Sequence, residues 1–384
     1  MSSEHYDLLV VGAGPAGCAA GIHGARAGLR VGVLDRATFP RDKTCGDALS
    51  NRAAALVDAL VGEPGAVRRI PHAEVRAGAA VFPDGSRVVH RFDDAPGFIV
   101  PRLHLDDLLR GALEHAGADL RQGVRVRELC VDDGRIVGAR SDHQTFTADA
   151  VVAADGPGSL AWTALGIPYR RGPQLAVAIT AYHEGVDFGP HPATNEHYFE
   201  TELPCGYGWI FPSVEGRANL GVYQRADHFK AHARTLPQLL ERFVARHPER
   251  LASSRRIGRA RSWALPIMTR PWPPAGPGVL ACGDAAWAID PLSGEGIFQA
   301  LESGARAGRT VARALAHRGV DQRVATRYRL ECVAALGITA VTRLGIQQAM
   351  KPLIEHGWYR NRWVQALLRR GYGSEAFEVS KQLH

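Results

Sequence analysis

The sequence lacks most features of secreted, membrane-spanning and disulfide-bonded proteins. Its six cysteines include no Cys-x-x-Cys pair and form no dense framework in a small domain, so we expect reduced thiols. No apolar run reaches the roughly 18 residues that a membrane span needs, and the first four residues lead directly into an apolar strand without room for a signal peptide. These absences predict a cytoplasmic protein that is at most attached to a membrane surface.

Lysine is also scarce, since only four of the 46 basic residues are lysines. The net charge of +7 comes from arginines that are scattered along the chain, apart from a cluster at residues 255–261, and no nucleic-acid-binding module is recognisable. The pair His228 and His232 lacks the Glu of a zinc protease and a third ligand, and no Gly-x-Ser-x-Gly elbow is present. We therefore expect no nucleic-acid partner, no metal site and no serine hydrolase.

The sequence does contain a glycine-rich loop between a predicted strand and a predicted helix, and this loop is Gly12-Ala-Gly14-Pro-Ala16-Gly17. It joins a short apolar strand at residues 6–11 to an Ala-rich helix predicted at residues 15–28. In such a loop the first glycine allows the turn, the second lets backbone approach a pyrophosphate, and the third lets helix and strand pack. The next predicted strand, residues 29–34, is followed by Asp35, which can bind ribose hydroxyls. The pattern predicts the adenosine end of a dinucleotide.

Two further segments extend this assignment along the ligand. Asp155-Gly156 follows a Val-Val-Ala-Ala run, and Gly283-Asp284 follows Gly-Val-Leu-Ala-Cys, so each pair stands at a predicted strand end. Together with the first two segments they describe one FAD molecule bound in an extended pose. No second Gly-x-Gly-x-x-G segment with a strand and a helix around it offers a site for NAD(P)H, so electrons must come from NAD(P)H that docks transiently or from a partner flavin reductase.

A chain of 384 residues is long for one compact core, so two joined domains are expected. Short alternating runs between residues 175 and 263 predict an antiparallel sheet, and helices are predicted at residues 103–116, 237–247 and from 301 onward, with a strand at residues 120–126. We predict an α/β fold with a Rossmann-like FAD-binding domain (residues 1–70, 98–165 and 275–330). The inserted antiparallel-sheet substrate domain would comprise residues 71–97 and 166–274, and the helical C-terminal tail residues 331–384.

Three longer segments carry a resemblance to a known family. They are Phe39-Pro-Arg-Asp-Lys-Thr-Cys-Gly-Asp-Ala-Leu-Ser50, Gly206-Tyr-Gly-Trp-Ile-Phe-Pro212 followed by Gly221-Val222, and Gly283-Asp-Ala-Ala with Pro291-Leu-Ser-Gly-Glu-Gly-Ile297. These segments resemble the signature regions of the geranylgeranyl reductase family, which lies within the para-hydroxybenzoate hydroxylase-like flavoproteins. The resemblance covers about residues 5–345, and Pro-Arg-x-Lys-x-Cys-Gly is its most specific part.

The motifs and the resemblance together imply one set of FAD-binding residues. The Gly294–Gly296 segment opens a helix predicted at residues 297–306, and the dipole at its N-terminus would favour the negative charge of reduced flavin. Arg102 resembles the family's arginine near the FAD phosphates. The set comprises Gly12, Gly14, Ala16, Gly17, Asp35, Arg36, Arg41, Lys43, Cys45, Gly46, Arg102, Val126, Asp155, Gly156, Gly283, Asp284, Gly294, Gly296 and Ile297.

Two residues of these segments are candidates for catalysis. The resemblance places Cys45 in a loop beside the flavin, where a thiol could donate a proton to carbon, and Arg41 and Lys43 would lower its pKa if they are close. The alternative is that Cys45 is a small apolar filler. Glu295 is the second candidate, against the alternative that it only caps the start of a helix.

Aromatic side chains mark the candidate substrate site. Tyr207, Trp209 and Phe211 alternate on one predicted strand, so they face the same way. Such a face is commonly core, but in the family these aromatics line an apolar substrate tunnel near the flavin. We predict that they, with Pro291, form a pocket for a hydrophobic substrate.

The predicted activity is that of an FAD-dependent oxidoreductase. We expect hydride transfer at flavin N5 to or from a C–C or C–N bond of a prenyl-like or specialised-metabolite substrate, which a carrier protein could present. The alternative is a monooxygenase, because the same scaffold hydroxylates or epoxidises when reduced flavin meets oxygen. A halogenase would require a Trp-x-Trp-x-Ile-Pro element, which here begins with Tyr207, and a lysine between residues 43 and 230, where there is none.

The tail offers two interpretations. Aliphatic residues from 336 to 346 give way to aromatic and aliphatic residues interleaved with Arg360, Arg362, Arg369 and Arg370. A basic amphipathic helix can lie on an anionic membrane, which would suit a lipid-like substrate. Alternatively, its apolar face packs against the substrate domain.

Overall fold

The computed structural model describes residues 4–92, 94–169, 171–231 and 234–371, with side chains as far as Leu368. Its first sheet has eight strands. Five parallel strands form its centre in the order β18, β11, β1, β2 and β8, with antiparallel neighbours at one edge and beside β11. The strands are β1 (Glu4–Val11), β2 (Val31–Asp35), β8 (Asp119–Gln122), β9 (Val126–Asp132), β10 (Arg135–Ser141), β11 (Thr145–Ala153), β17 (Ala275–Gly276) and β18 (Val279–Ala281).

The second sheet has seven strands in the order β16, β12, β15, β14, β13, β5 and β6. They are β5 (Ala77–Val81), β6 (Arg87–Arg91), β12 (Leu175–Glu184), β13 (Thr194–Tyr198), β14 (Gly206–Pro212), β15 (Ala218–Arg225) and β16 (Arg255–Pro266). Its pairs are antiparallel as predicted, except that β5 and β13 run parallel. A parallel pair is possible there because a long stretch of other elements connects the two strands.

A small third sheet links the two large ones. It consists of β3 (Ala48–Leu49), β4 (Ala73–Val75) and β7 (Gly97–Ile99), with β7 in the middle. Strand β3 directly follows the Cys45 loop, so this sheet fixes one end of that loop. The domain division and its boundaries stay a prediction.

Helices pack against both large sheets and form the C-terminal region. They are α1 (Pro15–Arg26), α2 (Asn51–Val61), α3 (Arg102–His115), α4 (Leu160–Ala164), α5 (Ala226–Phe229), α6 (Leu236–Arg246), α7 (Pro248–Leu251), α8 (Ile297–Leu315), α9 (Gln322–Cys332), α10 (Ile338–Glu355) and α11 (Arg362–Gly371). Helices α1 and α8 pack tightly because a Cβ at Gly304 would lie 2.1 Å from the Ala16 carbonyl oxygen, and one at Gly308 would lie 2.4 Å from that of Ala20. This contact brings the start of α8 beside the glycine-rich loop.

One predicted strand is wrong in its extent. The strand predicted at residues 120–126 ends at Gln122, and a new strand begins at Val126. Gly123 between them has a φ of +73°, a left-handed conformation that interrupts the pleat. Alternation alone did not reveal this turn.

The C-terminal helices have both a packed and an exposed side. Leu336 and Tyr359 are buried, and Leu368 packs against the core of the second sheet, whereas Ile338, Val341, Trp358, Trp363 and Leu367 are exposed. Helix α9, a π-helical turn (Val333–Gly337) and α10 form one helical stretch, Gln322–Glu355, which by length and composition alone could cross a membrane. One helix of this kind is weak evidence for a membrane span, because core helices can meet the same two criteria. Arg369 and Arg370 of the predicted basic helix have side chains outside the described set.

Candidate functional site

The glycine-rich loop has the shape that a pyrophosphate requires. Gly12 has a φ of +100°, and a Cβ there would lie 2.4 Å from the Ala154 carbonyl oxygen, while a Cβ at Gly17 would lie 1.8 Å from that of Gly12. Gly14 differs, since a Cβ there would have no neighbour within 4 Å, and Gly14 caps α1 without any side-chain hydrogen bond. Gly12 and Gly17 are thus required for packing, whereas Gly14 borders open space at the positive end of a helix. This arrangement fits a bound diphosphate.

Asp35 holds this loop in place from the end of β2. Its Oδ2 accepts a hydrogen bond from Ala13 N at 2.7 Å, and its Oδ1 accepts one from Ala37 N at 2.8 Å. Each carboxylate oxygen can still accept a ribose hydroxyl, so ribose binding by Asp35 stays a prediction. The neighbouring Arg36 is exposed, and Val126 begins the strand next to this corner, where the Val124 N–H donates to the Asp35 carbonyl at 2.8 Å.

Asp155 faces the same loop from the end of β11. Its Oδ2 accepts a hydrogen bond from Leu160 N at 2.8 Å, whereas its Oδ1 is buried and has no hydrogen-bond partner among the described residues. Burial raises the pKa of Asp155. Gly156, with a φ of +83°, turns the chain away immediately afterwards. A buried acceptor next to the glycine-rich loop is an available contact for the cofactor.

Arg41 and Arg102 share a buried carboxylate that the sequence reading did not single out. Both carboxylate oxygens of Asp106 accept hydrogen bonds from Arg102, at 2.7 and 2.8 Å, and Oδ2 also accepts one from Arg41 at 2.7 Å. Arg102 and Asp106 are almost completely buried. The Arg-x-x-x-Asp spacing on α3 was the available signal, because residues four apart meet on one helix face. Contact of either arginine with FAD phosphates stays a prediction.

Lys43 and Asp284 meet although they are far apart in sequence. Lys43 Nζ lies 3.8 Å from Asp284 Oδ2 and 5.1 Å from the centre of the Trp263 ring. Burial lowers the pKa of Lys43, and Asp284 opposes this effect. Gly283 has a φ of +61°, and its N–H donates to Ser303 of α8 at 2.9 Å. The Cys45 loop and the Gly283-Asp284 turn therefore face one another.

The segment before α8 reaches the same place. Gly296 caps α8, which starts at Ile297 and has no side-chain cap, and a Cβ at Gly296 would lie 3.8 Å from Asp284 Oδ1. A Cβ at Gly294, where φ is +68°, would lie 3.4 Å from the Tyr207 hydroxyl oxygen. The uncapped N–H groups of α8 thus lie between Asp284 and the aromatic strand, and their contact with the flavin stays a prediction.

Glu295 links two of these loops. Ser50 Oγ donates a hydrogen bond to Glu295 Oε1 at 2.8 Å, while the same Ser50 oxygen accepts one from Ala53 N at the start of α2. Burial raises the pKa of Glu295, and the bond from Ser50 opposes this effect. These contacts give Glu295 a structural role between the two loops, and its catalytic role stays a prediction.

The aromatic strand, β14 with Tyr207, Trp209 and Phe211, packs against the Cys45 loop and the segment before α8. Tyr207, Trp209 and Phe211 are buried in one cluster, and a Cβ at Gly46 would lie 3.6 Å from both Trp209 and Phe211. Tyr207 donates its hydroxyl hydrogen to the Ser293 carbonyl, and Tyr223 donates to the Pro291 carbonyl at 3.0 Å. His197 lies against this cluster, with its ring centroid 5.1 Å from that of Tyr207 and 5.0 Å from that of Phe211. Pocket lining by these residues stays a prediction.

The thiol of Cys45 does not have the lowered pKa that the sequence suggested. Burial is the largest effect and raises the pKa of Cys45, while the charges of Arg102 and Lys43 act in the opposite direction. Arg41, which was expected to contribute, is paired with Asp106 instead. A protonated thiol is the form that can donate a proton, so the correction favours an acid over a nucleophile.

Sequence reasoning missed a polar network directly behind Cys45. Asp47 is buried, and its Oδ2 accepts hydrogen bonds from Tyr182 Oη and from Asn219 Nδ2, the latter at 2.9 Å. Asn219 Nδ2 also donates to the Cys45 carbonyl at 2.9 Å. The only signal was a carboxylate within the Cys-Gly-Asp segment, and the residues that pair with it come from β12 and β15.

The structure describes the six cysteines and one of the two histidines of the candidate pair. All six cysteines are free. His228 Nε2 lies 3.0 Å from Arg225 Nη2, and His232 is outside the described residues. Among the residues that the structure describes, no group of three or more His, Cys, Asp or Glu side chains could hold a metal ion.

Comparison with known proteins agrees with this geometry. The family described as FAD binding domain matches residues 5–336. A menaquinone reductase of Mycolicibacterium smegmatis is 34% identical over 317 residues, covering 78% of this chain and 74% of the relative. A digeranylgeranylglycerophospholipid reductase of Methanopyrus kandleri is 30% identical over 322 residues, covering 81% of each chain.

A solved structure has the same fold. The geranylgeranyl bacteriochlorophyll reductase-like protein of Thermoplasma acidophilum has a TM-score of 0.81 at 22% identity and covers 92% of this chain and 91% of its own. The sequence matches confirm the resemblance to the family. The similar solved structure confirms the α/β FAD-binding fold. The chain belongs to the FAD-binding-domain family and, within the para-hydroxybenzoate hydroxylase-like flavoproteins, is an FAD-dependent oxidoreductase of the geranylgeranyl reductase and menaquinone reductase kind.

Proposed function

We propose that this enzyme reduces a carbon–carbon double bond in the prenyl chain of a hydrophobic substrate, with an isoprenoid quinone or a related prenyl lipid as the substrate class. The observation that carries the proposal is the position of the Cys45 loop. Gly46 touches the aromatic strand, whereas Lys43, two residues before the thiol, reaches Asp284. The loop that carries Cys45 therefore lies between the aromatic strand and the turn assigned to the ribityl chain. The names of the two curated relatives support a prenyl-bearing substrate.

FAD, when bound, supplies the hydride for this reaction. The residues that would hold it are those of the glycine-rich loop for the diphosphate, Asp35 for the ribose and Asp284 for the ribityl chain. The N-terminus of α8 favours negative charge at the adjoining edge of the cofactor. Each of these groups is placed by a strand end or a helix end, so the site is held rigidly.

The protein itself must then supply a proton and exclude water. One carbon of the double bond receives the hydride, and its neighbour takes the proton from the Cys45 thiol, so two C–H bonds form as the double bond is reduced. The thiol is regenerated from solvent after turnover. Tyr207, Trp209 and Phe211 offer the apolar wall that keeps the prenyl chain beside Cys45.

Electron supply and cellular location form part of the same proposal. NAD(P)H docking transiently, or a partner flavin reductase, reduces the enzyme in the cytoplasm, and no nucleic acid is involved. A lipid substrate has to be drawn from a membrane or from a carrier protein. The exposed Trp363 and Leu367 on α11 offer an apolar contact for peripheral membrane attachment.

An anaerobic experiment tests the reaction class. The FAD-loaded enzyme is reduced without oxygen, menaquinone or another prenyl quinone is added, and oxygen-18 is admitted only later. Saturated product formed before oxygen enters supports the proposal. Oxygen-18 in the product, with no product before oxygen, would instead establish a monooxygenase.

A further inference from the structure

A buried carboxylate follows Cys45 and Gly46 directly, and the reaction described above does not use it. Asp47 is 1% exposed and has a φ of +63°, in the left-handed region that is uncommon for residues other than glycine. Two side chains from the second sheet, Tyr182 and Asn219, donate hydrogen bonds to its Oδ2. A charged residue that is buried in an unfavourable backbone conformation requires neighbours that hold it there.

Asn219 is the hub of this arrangement. It is completely buried, and its Nδ2 donates both to the Asp47 carboxyl and to the Cys45 carbonyl, at 2.9 Å in each case. Its Oδ1 accepts hydrogen bonds from Trp209 Nε1 at 3.0 Å and from Thr180 Oγ1 at 2.7 Å. One amide thus connects the Cys45 backbone, the Asp47 carboxyl and the aromatic strand, so the loop cannot shift relative to that strand without breaking several buried hydrogen bonds.

Three charged side chains, one from α3 and two from the Cys45 loop itself, act on the Cys45 thiol. Besides burial, the Asp47 carboxylate raises the pKa of Cys45, while Arg102 from α3 and Lys43 from the same loop lower it, as does the Asp47 backbone N–H. Burial raises the pKa of Asp47 itself to about 7, against the bonds from Tyr182 and Asn219. Arg102 also lowers the pKa of Asp47, and Asp42 raises it. Asp47 is therefore partly ionised near neutral pH, close to the thiol.

We propose that Asp47 is a positioning residue for Cys45, which fixes the loop through Asn219 and makes the thiol harder to ionise through its own negative charge. A second negative charge beside the first is unfavourable in a buried site, so an ionised Asp47 acts with burial against formation of the thiolate. The proposal rests on the proposed role of Cys45 as the proton donor.

The rate at which iodoacetamide labels Cys45 in the FAD-loaded enzyme measures how readily the thiol ionises, without relying on turnover. Peptide mass spectrometry gives the Cys45 rate relative to Cys130, a partly exposed thiol on β9. Asp47→Asn keeps an acceptor for Asn219 and Tyr182 but removes the charge, whereas Asp47→Ala removes both. Asp42→Asn is the matched control, because it removes a charge from the same loop that is exposed and paired with Arg261 at 2.9 Å.

The expected result is faster labelling of Cys45 in Asp47→Asn, by up to about tenfold for a pKa lowered by one unit, since only the thiolate reacts. Asp47→Ala should label at least as fast, and Asp42→Asn should stay within twofold of wild type. A Cys45-to-Cys130 ratio in Asp47→Asn that falls or stays within twofold of wild type would overturn the proposal, and so would a rise in Asp47→Ala alone.

A separate measurement distinguishes failure of the proposed role of Cys45 from failure of the proposed role of Asp47. If Cys45→Ala reduced the prenyl substrate as fast as wild type, the role of Cys45 as proton donor would fail, while the labelling data would still report whether Asp47 controls the thiol. In single-turnover experiments, Asp47→Ala, which also loses the hydrogen bonds that fix the loop, should slow product formation and leave the flavin spectrum unchanged. Loss of FAD from this variant would contradict a role confined to Cys45.

Discussion

Replacing Gly14 by Val should remove FAD and leave the protein folded. Gly14 has φ −73° and ψ −178°, an extended conformation that any residue adopts, and a Cβ there meets nothing within 4 Å. The free energy of unfolding of the FAD-free protein should therefore fall by no more than about 1 kcal/mol, since Val is a poorer N-cap residue than Gly. The new side chain would instead occupy the space next to the uncapped N-terminus of α1, where the diphosphate is expected.

The size of the effect on FAD follows from the contacts that would be lost. Hydrogen bonds to a charged group contribute about 1.5–3 kcal/mol each. Loss of one or two of them, about 3 kcal/mol in total, would weaken FAD binding by more than a hundredfold, since about 1.4 kcal/mol corresponds to a factor of ten. FAD titration by fluorescence measures the dissociation constant, and urea unfolding of the FAD-free protein measures stability.

Gly17 provides the contrasting variant. A Cβ at Gly17 would lie 1.8 Å from the Gly12 carbonyl oxygen, so Gly17→Ala should lower the stability of the FAD-free protein itself. Stoichiometric FAD with an unchanged spectrum in Gly14→Val would refute the assignment of this loop to the diphosphate. Equal loss of stability in both variants would show that Gly14 also serves packing.

Four further predictions concern other parts of the site. Cys45→Ala should slow product formation by roughly 10² or more while FAD reduction and the flavin spectrum stay nearly intact, and loss of FAD would make Cys45 a cofactor-loop residue instead. Asp284→Ala should weaken FAD binding by at least about tenfold in the same titration, because an acceptor for the ribityl chain disappears. Asp47 has a pKa raised to about 7, so the folded protein binds more protons than the unfolded chain between about pH 4 and 7, and this group's contribution to stability falls as pH rises through that window. The melting temperature of Asp47→Asn should therefore exceed that of wild type by the largest margin above pH 7. A difference at pH 4 as large as that above pH 7 would contradict the raised pKa of Asp47. Truncation before Gly357 should abolish sedimentation with anionic liposomes if α11 anchors the enzyme, and binding that survives truncation would exclude this role.

The sequence by itself determined the cofactor and much of the architecture. Each FAD segment depends on local rules, since a glycine-rich turn between a strand and a helix can be recognised within about 15 residues, and Asp35 follows at a set distance. The second sheet was likewise visible in period-two alternation from residue 175 onward. The parallel pairing of β5 with β13 was not, because pairing between distant strands leaves no periodic signal.

Only the tertiary structure decided the electrostatics of Cys45. In the sequence, Arg41 and Lys43 are the nearest positive charges to the thiol, but Arg41 pairs with Asp106 and Lys43 lies close to Asp284. Burial then outweighs the remaining positive charge and raises the pKa of Cys45. Asn219 and Tyr182 reach the loop from strands more than 130 residues later in the chain. Burial and long-range contact depend on how sheets and loops pack, and no local pattern in the sequence specifies them.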